Sequence, residues 1–133
     1  MIQEIYIIDD KPDLRETLKR LFKEDRSYRF KSVPTESLDI ALKNIPSLII
    51  INEDNIDEDI ISICQKIKKD DDNSITPVIV LSSNKNHTHR INLLKLVSHI
   101  HGTFSRVVWL NGWEQILKRR LFTMISEMDN IVQ

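Results

Sequence analysis

Apolar positions along the chain follow two spacings in turn. Ile2 to Ile8 (IQEIYII) is rich in β-branched residues and stops abruptly at Asp9-Asp10, which predicts a strand. Pro12 stands where a first helical turn accepts proline, and Leu14, Leu18, Leu21 and Phe22 then repeat at helical spacing. Tyr28 to Val33 (YRFKSV) alternates and predicts a second strand. Pro34 opens a second helix with Leu38, Ile40, Ala41, Leu42 and Ile45 as its apolar residues, and Pro46 ends it. Leu48 to Ile51 (LIII) is continuously apolar, as expected of a strand buried on both faces, and halts at Asn52 and the polar stretch NEDNIDED.

The same alternation continues downstream. Ile60, Ile61, Ile63, Cys64 and Ile67 mark a third helix, and Asp70 to Asn73 a polar break. Pro77 to Leu81 (PVIVL) is another fully apolar strand, ending at Ser82-Ser83. A fourth helix is expected from about His87 to Val97, using Ile91, Leu93, Leu94, Leu96 and Val97. Gly102 to Val108 (GTFSRVV) is expected to form a fifth strand, and Trp113, Ile116, Leu117, Leu121, Met124 and Ile125 repeat at the spacing of a final helix. Strands separated by helices predict a parallel sheet covered on both faces, with right-handed crossovers. The binding crevice of such a sheet lies at the carboxyl ends of its strands. That singles out Asp9-Asp10, Asn52, Ser82-Ser83 and Arg106.

Composition narrows the function classes. The 133 residues fit one domain, and a net charge of -1 argues against nucleic acid or an anionic membrane as the main partner. The single cysteine, Cys64, excludes an internal disulfide, so a reducing, cytoplasmic setting is expected. No apolar run reaches the ~18 residues of a membrane span. The two glycines are few for any fold that relies on glycine-rich phosphate loops.

IYIIDDKPDLRETLKRLF resembles the start of a response-regulator receiver domain: an apolar strand, paired acids, then a helix. PSLIIIN resembles the third-strand motif of that family, in a register that puts Asn52 at the phosphoacceptor position. EDIISICQKIK resembles the third helix, and TPVIVLSS the fourth strand with its Thr or Ser position at Ser82. The resemblance covers nearly the whole chain. It implies a doubly wound, flavodoxin-like α/β fold with strand order 2-1-3-4-5 and helices on both faces. It also implies a two-component signalling role. Residues 1–133 would form a single receiver-like domain, with a last helix over about 110–128 that leads to an output domain in a longer parent protein.

In receiver domains the paired acids and the phosphoacceptor aspartate bind Mg²⁺, which neutralises charge as a phosphoryl group moves to the aspartate. A hard cation of this kind takes oxygen ligands and keeps several waters. The Thr or Ser hydroxyl and a lysine at the end of the fifth strand contact the phosphoryl oxygens. Movement of that hydroxyl and of a strand-five aromatic remodels the face made by helix four, strand five and helix five.

This sequence departs from the pattern at several places. Asn52 is a neutral amide and no equivalent of a carboxylate nucleophile, and its pocket loses one negative charge. Asp9 and Asp10 remain as candidates for weak Mg²⁺ binding. Asn55-Ile56 stand where the family has a Met-Pro step, and Ile60 replaces a glycine. The lysine position aligns with Arg106, a planar fork instead of a compact ammonium. Val107 replaces the proline that follows, so a trans bond is expected there, since the cis form costs ~2.5–4 kcal/mol without proline. The switch aromatic becomes Thr103, with Phe104 beside it. Losses of this breadth fit a receiver-like domain without aspartyl phosphorylation.

Each candidate has a plainer reading. Asp9-Asp10 also suit a helix N-terminus, where an acid gains ~0.3–1 kcal/mol. Glu53 and Asp54 are neighbouring acids that a conventional phospho-receiver would need. Strand alternation instead turns Glu53 away into a solvated loop. His87/His89 and His99/His101 have spacings that can hold zinc, but no further ligand is placed near them. Trp113 suits the core and Trp109 an exposed contact. Fold does not settle function, so three readings stand. The first is an interaction module working through a protein partner or output domain, with a homodimer through helices four and five as one arrangement and no enzymatic activity. The second is a phospho-receiver using Mg²⁺ and Glu53 or Asp54. The third is a flavin carrier, which the acids after the first strand disfavour.

Overall fold

The computed structural model describes residues 2–11, 13–23, 26–70, 76–100 and 105–110, with Gln115, Arg119, Ser126 and Met128. Its strands are β1 (Gln3–Ile8), β2 (Tyr28–Val33), β3 (Leu48–Asn52), β4 (Val78–Ser82) and β5 (Arg106–Trp109). They pair in parallel in the order β2-β1-β3-β4-β5. The helices are α1 (Asp13–Leu21), α2 (Leu38–Ala41), α3 (Ile60–Lys69) and α4 (His87–Ser98). Thr35–Ser37 and Glu53–Asn55 form 3₁₀ turns. This is the parallel sheet covered on both faces that the alternation of apolar runs predicts, in the doubly wound, flavodoxin-like strand order that the resemblance implies.

The sheet divides the core by side-chain parity. Ile5, Ile7, Leu48, Ile50 and Ile79 face α1 residues Leu14 and Leu18. Tyr6, Ile8, Ile49, Ile51 and Val80 face the layer of α2, α3 and α4, through Leu38, Ile63, Ile67, Leu93 and Val97. Every residue of β3 and β4 is buried, which explains their unbroken apolar sequences. Of the final helix, Gln115, Arg119, Ser126 and Met128 are helical, and Met128 joins the α1 side of the core. Trp113 and the apolar residues expected of that helix lie outside the described residues.

Two expectations about elements are corrected. The second helix is a single turn, Leu38–Ala41, so helical spacing does not carry Ile40 and Ile45 into the core; they are 69% and 62% exposed. Ile40→Gln is therefore expected to change the unfolding free energy by less than ~0.5 kcal/mol in a urea titration. The fifth strand is Arg106–Trp109, so it excludes Ser105 and runs one residue past Val108, with Val107 and Val108 paired to Val80 and Leu81 of β4; Gly102, Thr103 and Phe104 lie outside the described residues. Among the described residues no helix is long and apolar enough to cross a membrane.

Candidate functional site at the carboxyl ends of the strands

The parallel register brings Asp9, Asp10, Asn52, Ser82 and Trp109 to one end of the sheet. Asp9 and Asn52 are each 2% exposed and face one another, with Asn52 Nδ2 donating to Asp9 Oδ2 at 3.3 Å. Asp9 Oδ1 accepts the Lys11 backbone N–H at 2.8 Å. Burial pushes the Asp9 carboxyl above the ordinary carboxylate range, against the hydrogen bonds from Lys11, Asn52 and Asn55. Asn52 Oδ1 is buried and has no hydrogen-bond partner among the described residues.

Asp10 has a different task. Its Oδ1 accepts the Thr35 backbone N–H at 2.8 Å, and its Oδ2 accepts the Asp57 backbone N–H at 2.6 Å and the Thr35 hydroxyl at 3.0 Å. Its own backbone N–H donates to the Asn55 carbonyl at 2.9 Å. The side chain thus ties the end of β1 to the segments following β2 and β3. Burial acts to raise its pKa, but the hydrogen bonds from Thr35 and Asp57 outweigh it and leave the group below its ordinary value.

Ser82 is fully buried at the end of β4. Its hydroxyl donates to Glu53 Oε1 and accepts the Asn84 backbone N–H at 3.1 Å. The other Glu53 oxygen, Oε2, lies 2.7 Å from His89 Nε2 in α4. One carboxylate therefore joins the ends of β3 and β4 to the first turn of α4. The expectation that Glu53 turns away into a solvated loop is overturned: the 3₁₀ turn begins at Glu53, so strand alternation ends at Asn52. Asp54 is exposed and accepts the Ser83 backbone N–H at 3.1 Å.

The backbone of Arg106 stands away from this crevice. It pairs with Ile79 at the opposite end of β5, whereas Trp109 pairs with Ser82 and takes the place expected for Arg106. The register of β5 against β4 corrects that alignment by three residues. Trp109 is half-buried, and the Arg90 guanidinium lies 4.5 Å from its ring centre, so it is not the freely exposed contact expected. Arg90 Nε also donates to the Asn84 carbonyl at 2.6 Å. Thr103, Phe104 and His101 lie outside the described residues. The sequence does not single out His89, Arg90 and Trp109 as crevice residues, and it offers Glu53 only as a substitute acceptor in the second reading. Only for Trp109 was a signal present: it directly follows the apolar pair Val107-Val108 that matches Val80-Leu81.

No group of three or more His, Cys, Asp or Glu that could hold a metal ion occurs among the described residues. His99 Nδ1 is committed to the Lys95 carbonyl at 2.6 Å. Cys64 is buried in α3, and burial raises its thiol pKa to about 12, so it is no nucleophile. For a hard divalent cation the crevice offers the Asp9 carboxylate and the bare amide oxygen of Asn52. Asp10 has both oxygens engaged elsewhere. These ligands fit a weak, largely hydrated Mg²⁺ and no tighter site.

No protein-family model matches the chain, and no curated protein matches it in sequence. Solved structures do match in fold. A signal receiver domain of a histidine kinase from Clostridium thermocellum has a TM-score of 0.74 at 19% identity, over 96% of this chain and 98% of that one. A receiver domain of a histidine kinase from Syntrophus aciditrophicus has 0.72 at 20% identity, over 98% and 92%. The receiver domain of a sensor histidine kinase from Pseudomonas aeruginosa, with a magnesium ion coordinated in its active-site cleft, has 0.70 at 17% identity, over 96% and 98%. The chain therefore has the fold of two-component receiver domains.

Proposed function

We propose that this chain is an atypical receiver domain of two-component signalling, which works through protein contacts without aspartyl phosphorylation. The observation that carries the reading is the Glu53 carboxylate. It already holds the Ser82 hydroxyl, the group that receiver domains direct at a phosphoryl oxygen, and it engages α4 through His89. Asn52 fills the phosphoacceptor position with an amide. Trp109 fills the position of the phosphate-binding lysine by register. The crevice thus contains its own fixed anion in place of a transferable one. Output then runs through a protein partner or an output domain, with a homodimer through α4 and the final helix as one arrangement. Mg²⁺ binds weakly at Asp9 and Asn52 and is not required. No catalytic role is assigned to any residue, and the cytoplasm is the expected compartment.

The second reading, a phospho-receiver with Glu53 or Asp54 as acceptor, draws on the presence of Glu53 in the crevice. Against it, both Glu53 oxygens are taken by Ser82 and His89, and Asp54 is exposed. Incubation with acetyl phosphate and Mg²⁺, read by intact mass, separates the two. We expect the wild type to gain no phosphoryl mass, under conditions that fully modify an ordinary receiver domain. A stable gain mapped to Glu53 or Asp54 would overturn the phosphorylation-independent reading. The same assay on Asn52→Asp reports whether the pocket retains enough of its chemistry to be modified once a carboxylate returns.

A further inference from the structure

α3 and α4 pack side by side and leave a groove of about 400 Å³ between them, lined by Ile61, Lys68, Asn92, Lys95, Leu96 and His99. It lies away from the crevice and away from the β5 side of α4, where Arg90 meets Trp109. Ile61 is 37% exposed and Leu96 only partly buried, so the groove has an accessible apolar floor. Its rim is basic. Lys68 and Lys95 stand at the groove, and no acid is among its lining residues. Arg90 is turned to Trp109 and Lys66 is paired with Glu58 at 3.0 Å, so these two cations do not belong to the rim. Asp57, Glu58 and Asp59 precede α3 and Asp70 follows it, all outside the lining.

We infer that this groove is a docking site for an acidic segment of a protein partner, with one large apolar side chain seated between Ile61 and Leu96 and carboxylates set against Lys68 and Lys95. The volume suits an apolar anchor with a few polar contacts around it. Complementary charge at the rim supplies orientation and a faster encounter. A duplex nucleic acid would use the lysines but leave the apolar floor unoccupied. A membrane surface is flat and would meet a concave floor poorly. A protein segment with acids flanking an apolar anchor satisfies both parts. The inference does not depend on whether Asn52 blocks phosphorylation.

The test is affinity selection of a random peptide library on the intact chain and, in parallel, on the double variant Lys68→Glu, Lys95→Glu. Both lysines are exposed, so the variant is expected to fold, which its unfolding midpoint would verify. We expect selected peptides to be rich in Asp and Glu around a Leu, Ile or Phe. Their binding should weaken about tenfold or more in the double variant, and in Leu96→Ser where the charges remain. In amide spectra of the labelled chain, shifts should centre on Ile61, Lys68, Asn92, Lys95 and Leu96. Selection of peptides without acids, equal binding to the variant, or shifts centred elsewhere would overturn the proposal. So would preferential binding of phosphatidylglycerol vesicles or duplex DNA that the double variant abolishes.

Discussion

Replacing Glu53 with alanine is expected to destabilise the domain by about 1–3 kcal/mol and to loosen the start of α4. The Ser82 hydroxyl is fully buried, and Glu53 Oε1 is the acceptor of its proton. Truncation leaves that donor unsatisfied where water has little access, a penalty of the kind that dominates hydrogen-bond deletions. His89 loses its partner at the same time. Asn86 still caps the helix by accepting the His89 backbone N–H at 2.9 Å, so α4 persists while its first turn frays. Urea unfolding reports the first effect, and amide exchange over residues 87–93 the second. Glu53→Gln separates charge from shape. Its carbonyl can still accept from Ser82, but the carboxylate beside His89 Nε2 becomes a neutral amide. The Gln variant should keep most of the stability that the Ala variant loses. An Ala variant with an unchanged midpoint and unchanged exchange would mean that the Ser82–Glu53–His89 chain has no structural weight, and the proposed built-in anion would lose its basis.

The framework was legible in the sequence because apolar parity and burial are local properties. LIII and PVIVL suit strands covered on both faces, and each ends at the crevice residue expected of it, Asn52 or Ser82. What the sequence did not reveal depends on pairings distant along the chain. The resemblance aligns Arg106 with the crevice lysine, and the GTFSRVV run has no internal mark of where pairing starts. Only the register with β4 sets Trp109 beside Ser82. Strand alternation turns Glu53 to solvent, a rule that holds only while the strand continues, and the 3₁₀ turn ends it one residue earlier than that argument needs. Asp9 and Asp10 were legible as a pair but not as opposites. Their neighbours in sequence are shared, while their hydrogen-bond partners come from Asn52 on one side and from Thr35 and Asp57 on the other.

That opposition yields a measurable contrast. Asp10→Ala is expected to cost about 2–3 kcal/mol at neutral pH, because hydrogen bonds to a charged acceptor are worth ~1.5–3 kcal/mol and this carboxylate receives backbone N–H groups from separate segments. Asp9→Asn is expected to do the reverse and raise the urea midpoint. The folded-state pKa of Asp10 lies below its ordinary value, so its contribution is present above about pH 4 and is lost as pH falls through the lowered folded value. For Asp9 the folded value is raised by burial. The native state therefore holds that proton more tightly than the unfolded chain does. Stability from protonated Asp9 is fully present below about pH 4 and is lost as pH rises through the folded value. An amide at position 9 removes this loss. Asp9→Asn and wild type should therefore converge in stability at acid pH and diverge toward neutrality, while Asp10→Ala should differ most from wild type at neutral pH and least in acid. Unfolding midpoints measured from pH 3 to pH 8 check both arms. Mg²⁺ adds a second reading. The cation gains from Asp9 and Asn52 Oδ1 only in the folded state, so millimolar Mg²⁺ should stabilise the wild type slightly and the Asp9→Asn variant not at all. Equal stabilisation of both by Mg²⁺ would place the cation elsewhere. Parallel pH profiles for the Asp9 and Asp10 variants would mean that the acids share one role, contrary to the geometry of their hydrogen bonds.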